Sequence, residues 1–172
     1  MLVRSATQAD IAGITAIFNH AVIHTTAIWK ENPVTEDNRL TWLAARQASG
    51  FPVLVAVPEG AAEQGSIYGY ASFGEWRSFD GYRHTVEHSI YVHPDHQRLG
   101  IGRLLLARLI DEARGQGRHV MMAAIESGNE ASLALHRQFG FQDAGYCREM
   151  GTKFGRWLDL TLLQYVFEDS MP

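Results

Sequence analysis

Val86-Glu-His-Ser-Ile-Tyr-Val-His-Pro-Asp-His-Gln-Arg-Leu-Gly-Ile-Gly102 is the stretch from which this chain is best read. Thr85 to Val92 reads as a strand, and Pro94 ends it. A short loop follows, with Gly100 and Gly102 two apart. Ile101, Leu105 and Leu109 then fall on one stripe, which predicts a helix to about Arg114, closed by Gly115 and Gly117. Glycine lets backbone approach a ligand closely and adopts positive φ without strain. The amides from Arg98 to Arg103 would point into one concavity at a helix N-terminus. Unpaired N–H groups and the helix dipole there favour an anion, above all a pyrophosphate. Arg98 and Arg103 add charge. G-x-x-x-x-G-K-[ST] is absent, and Leu105 stands where G-x-G-x-x-G would need its third glycine, so neither the ATPase loop nor the dinucleotide fingerprint fits.

Working outward, Thr7-Gln-Ala-Asp10 predicts a helix start, with Ile11, Ile14, Ile17 and Phe18 as its buried face. A second helix is expected from Thr35 to near Gly50, with Leu40, Leu43 and Ala44 inward. Val53 to Val57 and Ile67 to Phe73 read as strands, joined through a surface turn at 58–66. Residues 74–83 form a loop with three aromatics and two arginines, unusually aromatic for a solvent-exposed linker. Val120 to Ile125 is an apolar strand. Asn129 caps a helix that Gly140 stops, and two strands near 141–150 and 158–167 follow, joined by a loop with Lys153, Phe154, Arg156 and Trp157. An antiparallel start followed by strand–helix units predicts a single α/β domain over 1–172.

The 172 residues are 46% apolar and 20% charged, the balance of one folded domain. A net charge of -4 argues against a nucleic-acid partner. No apolar run reaches the roughly 18 residues of a membrane span, and the N-terminus does not read as a secretory signal. The lone Cys147 fits a reducing compartment, hence a cytoplasmic location. Eight histidines beside a single cysteine, with no C-x-x-C pair, give no expectation of metal.

Gln97-Arg98-Leu99-Gly100-Ile101-Gly102 resembles the Q/R-x-x-G-x-G/A motif of the GCN5-related N-acetyltransferase superfamily. The downstream order, Asn129, then Ala134-Leu135-His136, then Phe139-Gly140-Phe141, resembles its second motif. Thr25-Thr26-Ala27-Ile28-Trp29, Val86 to Val92, Ala124 to Asn129 and Lys153 to Asp159 are similar to the phosphinothricin and methionine-sulfoximine acetyltransferase subgroup. The resemblance implies a mixed, mostly antiparallel central sheet flanked by helices, acetyl-CoA as co-substrate, a small amino-acid-like acceptor, and a homodimer. It also implies that the loop Arg98, Leu99, Gly100, Ile101, Gly102 and Arg103 holds the pyrophosphate. Ile90, Tyr91 and Val92 would bind the pantetheine arm through their backbone.

Side chains alternate along a strand, so Glu87, Ser89 and Tyr91 share one face and Val86, His88, Ile90 and Val92 the other. A carboxylate inside a central strand is expensive to bury without a purpose. Glu87 is therefore read as general base on the substrate ammonium, the alternative being a satisfied structural carboxylate. Asn129 is a helix N-cap, and the resemblance adds a cofactor contact; both can hold. His136 stands where many superfamily members have a tyrosine suspected of protonating the CoA thiolate, and a surface histidine is the other reading. Arg77, Ser78 and Phe79, with Glu87, His88 and Ser89, are the expected substrate residues. Arginine suits a carboxylate or phosphinate, while His88 can equally be structural on the opposite face. Trp29, Lys153 and Arg156 could complete the pocket, in the same chain or from a dimer partner, and Trp157 reads as core. Cys147 lacks an activating pair, so direct transfer is expected. A peptide acetyltransferase and a non-catalytic acyl-CoA sensor are the competing readings.

Overall fold

The computed structural model describes residues 1–59 and 66–168. Most of the surface turn expected at 58–66 therefore lies outside the described residues. The elements, in chain order, are β1 (Leu2–Ser5), α1 (Ile11–His24), α2 (Glu36–Ala48), β2 (Val53–Val57), β3 (Gly69–Glu75), β4 (Thr85–Val92), α3 (Ile101–Gly115), β5 (Val120–Glu126), α4 (Glu130–Gln138), β6 (Gln142–Lys153) and β7 (Arg156–Val166). The seven strands form one sheet in the order β1-β2-β3-β4-β5-β7-β6. The β4–β5 pair is parallel and the other pairings among the described residues are antiparallel. The α/β class and the mostly antiparallel mixed sheet are as expected.

Two apolar layers sandwich the sheet. On one side α3 buries Ile101, Leu105, Leu106 and Leu109 against Val86, Phe73 and Met121. Fully burying each such side chain is worth about 1.5–3 kcal/mol. On the other side α1 lays Ile11, Ile14 and Ile17 on Val53, Val55 and Tyr70. The start of α1 is held by Asp10, buried, whose carboxylate accepts from the Thr7 amide at 2.8 Å and from Arg4 at 2.7 and 2.8 Å. A short 3₁₀ turn over Gln8–Asp10 precedes the α-helix proper.

α2 departs from the expected inward face. Thr35, where the helix was expected to start, caps it, accepting from the Asn38 amide. Leu43 is buried, but Leu40 and Ala44 are exposed, and the half-buried residues are Arg39, Trp42 and Arg46. The spacing 39, 42, 43, 46 is still helical; two arginines stand where leucine and alanine were expected. The last two strands are longer than the sequence suggested. They close through a two-residue turn in which Phe154 and Gly155 have φ of 52° and 71°. Two left-handed central residues match the twist of a hairpin. Trp157, read as core, is 65% exposed because the hairpin projects beyond the sheet's apolar layers.

Candidate active site

β4 pairs with β5 from Thr85–Val120 to Glu87–Met122 and no further, although both strands continue. Beyond Glu87 they part, while β4 stays registered with β3 as far as Val92–Gly69. The fork leaves one edge of Ser89 to Val92 without a strand neighbour. Backbone polar groups left this way are obligatory hydrogen-bonding groups. Ile90, Tyr91 and Val92, expected to act through backbone, line this edge.

The α3 loop meets the mouth of the fork. Arg98 and Gly100 have φ of 61° and 80°, two left-handed residues two apart. Such alternation turns successive amides into a concave nest for an anion. Gly100 is the N-cap of α3, with the Leu104 amide bonded to its carbonyl. Ile101 buries its side chain in the core, leaving its amide for the nest, while Leu99 is 61% exposed. A Cβ on Gly102 would stand 3.5 Å from Leu135 and 3.8 Å from Val92, so this glycine sits where α3, α4 and β4 converge. Arg103 is exposed above the Phe139 ring. Asn129 caps α4, its Oδ1 accepting from the Ser132 amide at 3.1 Å. The donors and cations of this loop suit the diphosphate of acetyl-CoA.

Glu87 lies half-buried on the α1/α2 side of β4, the face it shares with Ser89 and Tyr91. Burial pushes its carboxyl above the ordinary range, while Arg46 and Arg77 pull it back down. Tyr91 beside it is pushed up to about 12 by burial and then by the Glu87 charge. Tyr91 packs on Tyr70 and Phe18, at 5.3 and 6.3 Å between ring centroids. Arg77, Ser78 and Phe79 follow β3 and are exposed, Phe79 at 73%. Arg46 and Arg39 are the charged residues the sequence reading missed. Arg39 covers the Phe18 and Trp42 rings. Their only signal was their position three and four residues from Leu43.

His88, expected beside the substrate, is on the opposite face and buried. Its Nδ1 meets the Met122 carbonyl at 2.9 Å and its Nε2 the Nε2 of His136 at 2.8 Å. His136 is buried too, not a surface histidine, and its Nδ1 meets the Ser132 carbonyl at 2.7 Å. The alternation that puts Glu87 toward α2 necessarily turns His88 away. Carbonyls only accept, so both Nδ1 contacts need a hydrogen, and the Nε2–Nε2 contact needs a third. Burial drives His88 down to about 3 and lowers His136 as well. Two neutral imidazoles supply two of the three hydrogens, and burial opposes the added charge that a third would bring.

A group whose folded pKa is depressed stabilises above its unfolded pKa, about 6.5 for histidine, and loses that contribution as pH falls. The expected loss from His88 is about 2 kcal/mol between pH 7 and 5. His88→Phe should flatten the pH dependence of thermal unfolding in that window. An unchanged slope would show that the acid sensitivity arises elsewhere.

Lys153 and Trp29 are engaged within their own chain, at the end of α1 and against β6. Lys153 Nζ donates to the Thr25 and Ile28 carbonyls at 2.6 and 2.5 Å and lies 3.4 Å from that of Ala21, closing the end of α1. Trp29 lies flat over Gly151 and donates to the Thr26 carbonyl at 2.9 Å. Arg156 is exposed at the start of β7, in the hairpin. Thr26 reaches instead to Glu126 at the end of β5, at 2.8 Å. Cys147 lies on β6, the outermost strand, with β7 between it and β5. Among the described residues no three metal-ligating side chains converge, and no helix is long and apolar enough to cross a membrane.

Residues 14–141 match the acetyltransferase (GNAT) family. This chain belongs to that family. It is 57% identical over 169 residues to an L-methionine sulfoximine/L-methionine sulfone acetyltransferase of Salmonella typhimurium, covering 98% of this chain and 96% of the relative. An acetyltransferase structure from Salmonella typhimurium with its cofactor acetyl-CoA superposes with a TM-score of 0.93 at 57% identity, over 100% of this chain and 97% of the other. A Brucella melitensis structure described as a ribosomal-protein-alanine N-acetyltransferase also reaches 0.93, at 50% identity, over 97% of this chain and 100% of the other. The resemblance drawn from the two motifs is thus confirmed at the level of the family.

Proposed function

We propose that this GNAT-family chain moves the acetyl group of acetyl-CoA to the α-amino group of a small amino acid or analogue, of the methionine sulfone, methionine sulfoximine or phosphinothricin type. The observation that carries the reading is the setting of Glu87, half-buried at the β4–β5 fork with Arg46 and Arg77 within electrostatic reach. Acetyl-CoA supplies an activated thioester carbonyl, and its diphosphate fits the amides and cations of the α3 loop. An α-ammonium has a pKa of about 8 and must lose a proton before it can attack. Glu87 takes that proton. A backbone amide along Ile90 to Val92 polarises the thioester carbonyl, an interaction worth about 3 kcal/mol in the transition state. The C–N bond forms as the C–S bond breaks, and the CoA thiolate leaves as the thiol by taking up the second proton that the attacking nitrogen sheds on becoming an amide. Cys147 on the far edge of the sheet takes no part.

Arg77 is the carboxylate partner in this reading. It stands near Glu87, so one amino acid can be gripped at both of its charges. Ser78, Phe79 and Ser89 complete the acceptor side. The Brucella structure favours a second reading, in which a peptide amino terminus is the acceptor. Steady-state kinetics on methionine sulfone and its decarboxylated analogue separate the two. The analogue should lose about fivefold in kcat/KM, the worth of an ion pair with an exposed arginine, about 1 kcal/mol. Arg77→Ala should raise KM for the amino acid and leave acetyl-CoA affinity nearly unchanged. Equal kcat/KM for both compounds would transfer the assignment to a peptide or polyamine acceptor. The expected homodimer belongs to the same reading. The β6–β7 hairpin carries Met150, Phe154 and Trp157 at 59, 59 and 65% exposure, and a second copy is the partner proposed to cover them.

A further inference from the structure

Arg46 is a half-buried cation whose place is set by an absent side chain. Gly74 on β3 is registered opposite Glu87 on β4. Directly opposed residues of an antiparallel pair project to the same face, with Cβ atoms about 4.5–5.5 Å apart. A Cβ on Gly74 would overlap the Arg46 guanidinium. The guanidinium therefore fills the side-chain position of residue 74, next to the root of the Glu87 side chain. Phe51 backs it, with the guanidinium carbon 5.8 Å from the ring centroid.

Glu87 and Glu75 are the acidic groups that favour its charge, and Arg39 opposes it. Facing Glu87 are Arg46 from α2, Arg77 from the segment after β3, and Tyr91 from its own strand. Arg77 is exposed, so solvent screens it more than Arg46. A cation desolvated against a glycine has lost much of its hydration, and the opposite charge in front of it is what compensates.

We propose that Arg46, seated on Gly74, is the positioning residue of Glu87, holding the carboxylate anionic and turned toward the acceptor amine. The proposal rests on Glu87 being the base. A base acts only when deprotonated, so activity falls as pH drops through its pKa. Removing a nearby cation raises that pKa and moves the acid limb of the profile to higher pH.

The experiment is the pH dependence of kcat/KM for acetylation of methionine sulfone by the wild type, Arg46→Met, Arg46→Lys and Gly74→Ala. Calorimetry with acetyl-CoA monitors the fold of each. Arg46→Met should shift the acid limb upward by about one pH unit. That is a loss of about tenfold on the limb, with recovery at high pH. Arg46→Lys should restore most of the shift, and Gly74→Ala, which keeps the arginine but evicts it, should reproduce part of it. Gly74→Ala alone decides the matter if Arg46→Met does not fold. A uniform loss at every pH, or a raised KM with the limb unmoved, would overturn the proposal and make Arg46 a packing or acceptor-binding residue. Glu87→Gln is measured alongside. If that variant stays active, the base assignment fails first; if it is inactive and the limb does not move, only the role of Arg46 fails.

Discussion

Glu87→Gln should lower turnover at neutral pH by about 10²–10⁴-fold, the usual contribution of a positioned general base. The substitution is nearly isosteric, so the packing of β4 between β3 and β5 is retained. What disappears is the group able to take the ammonium proton, together with the negative charge in front of Arg46 and Arg77. Thiol release from acetyl-CoA in the presence of methionine sulfone measures the loss, and a thermal melt shows that the fold persists. Cys147→Ala, on the outer strand, should keep most activity under the same conditions. A glutamine variant with more than about a tenth of wild-type turnover would leave Glu87 as a structural carboxylate. An inactive but folded alanine variant would bring back an acetyl-enzyme.

The second large effect is expected at Gly100. With φ at 80° it is the left-handed residue from which α3 departs. Nothing lies within 4 Å of a Cβ built there, so bulk alone would be tolerated. The conformation would not, because left-handed backbone costs a side-chain-bearing residue about 1–2 kcal/mol, more when β-branched. Gly100→Val should relieve this by letting the loop leave its nest geometry, and acetyl-CoA affinity should fall at least tenfold, about 1.4 kcal/mol. Gly102→Ala is the informative companion, since its Cβ meets Leu135 and Val92 at ordinary contact distance; it should bind nearly as the wild type does. Calorimetry on both variants checks the pair. Unchanged affinity in Gly100→Val would mean that the loop does not hold the diphosphate.

The elements that carry these effects were the most legible ones. β4 runs over the span its alternation predicted, because β-branched residues and a terminal proline are local signals. Asn129 was readable as a cap and Thr35 as a helix start, since a cap bonds within its own first turn. The inward face of α2 was not readable. Arg39 and Arg46 look like solvent-facing residues until a glycine 28 positions beyond Arg46 leaves room for a guanidinium. His88 and His136 each read as isolated histidines, and their contact depends on α4 docking over β4. Lys153 read as a pocket cation because nothing local shows that three carbonyls at the end of α1 are waiting for it. Each of these is a tertiary relation between distant segments, and a single sequence carries no trace of such relations.

The brevity of the β4–β5 pairing has a mechanical meaning. Three parallel rungs join two antiparallel leaves, β1-β2-β3-β4 and β5-β7-β6, whose inner edges, β3–β4 and β5–β7, are each registered over seven positions. The sheet is thus a partly opened book whose spine is the three rungs from Thr85–Val120 to Glu87–Met122, backed by the His88 bridge to Met122. On the proposed reading, a ligand arm seated in the opening would bridge the two leaves without entering either core. The acyl group, on that reading, would be delivered to the line along which the two leaves share the fewest rungs.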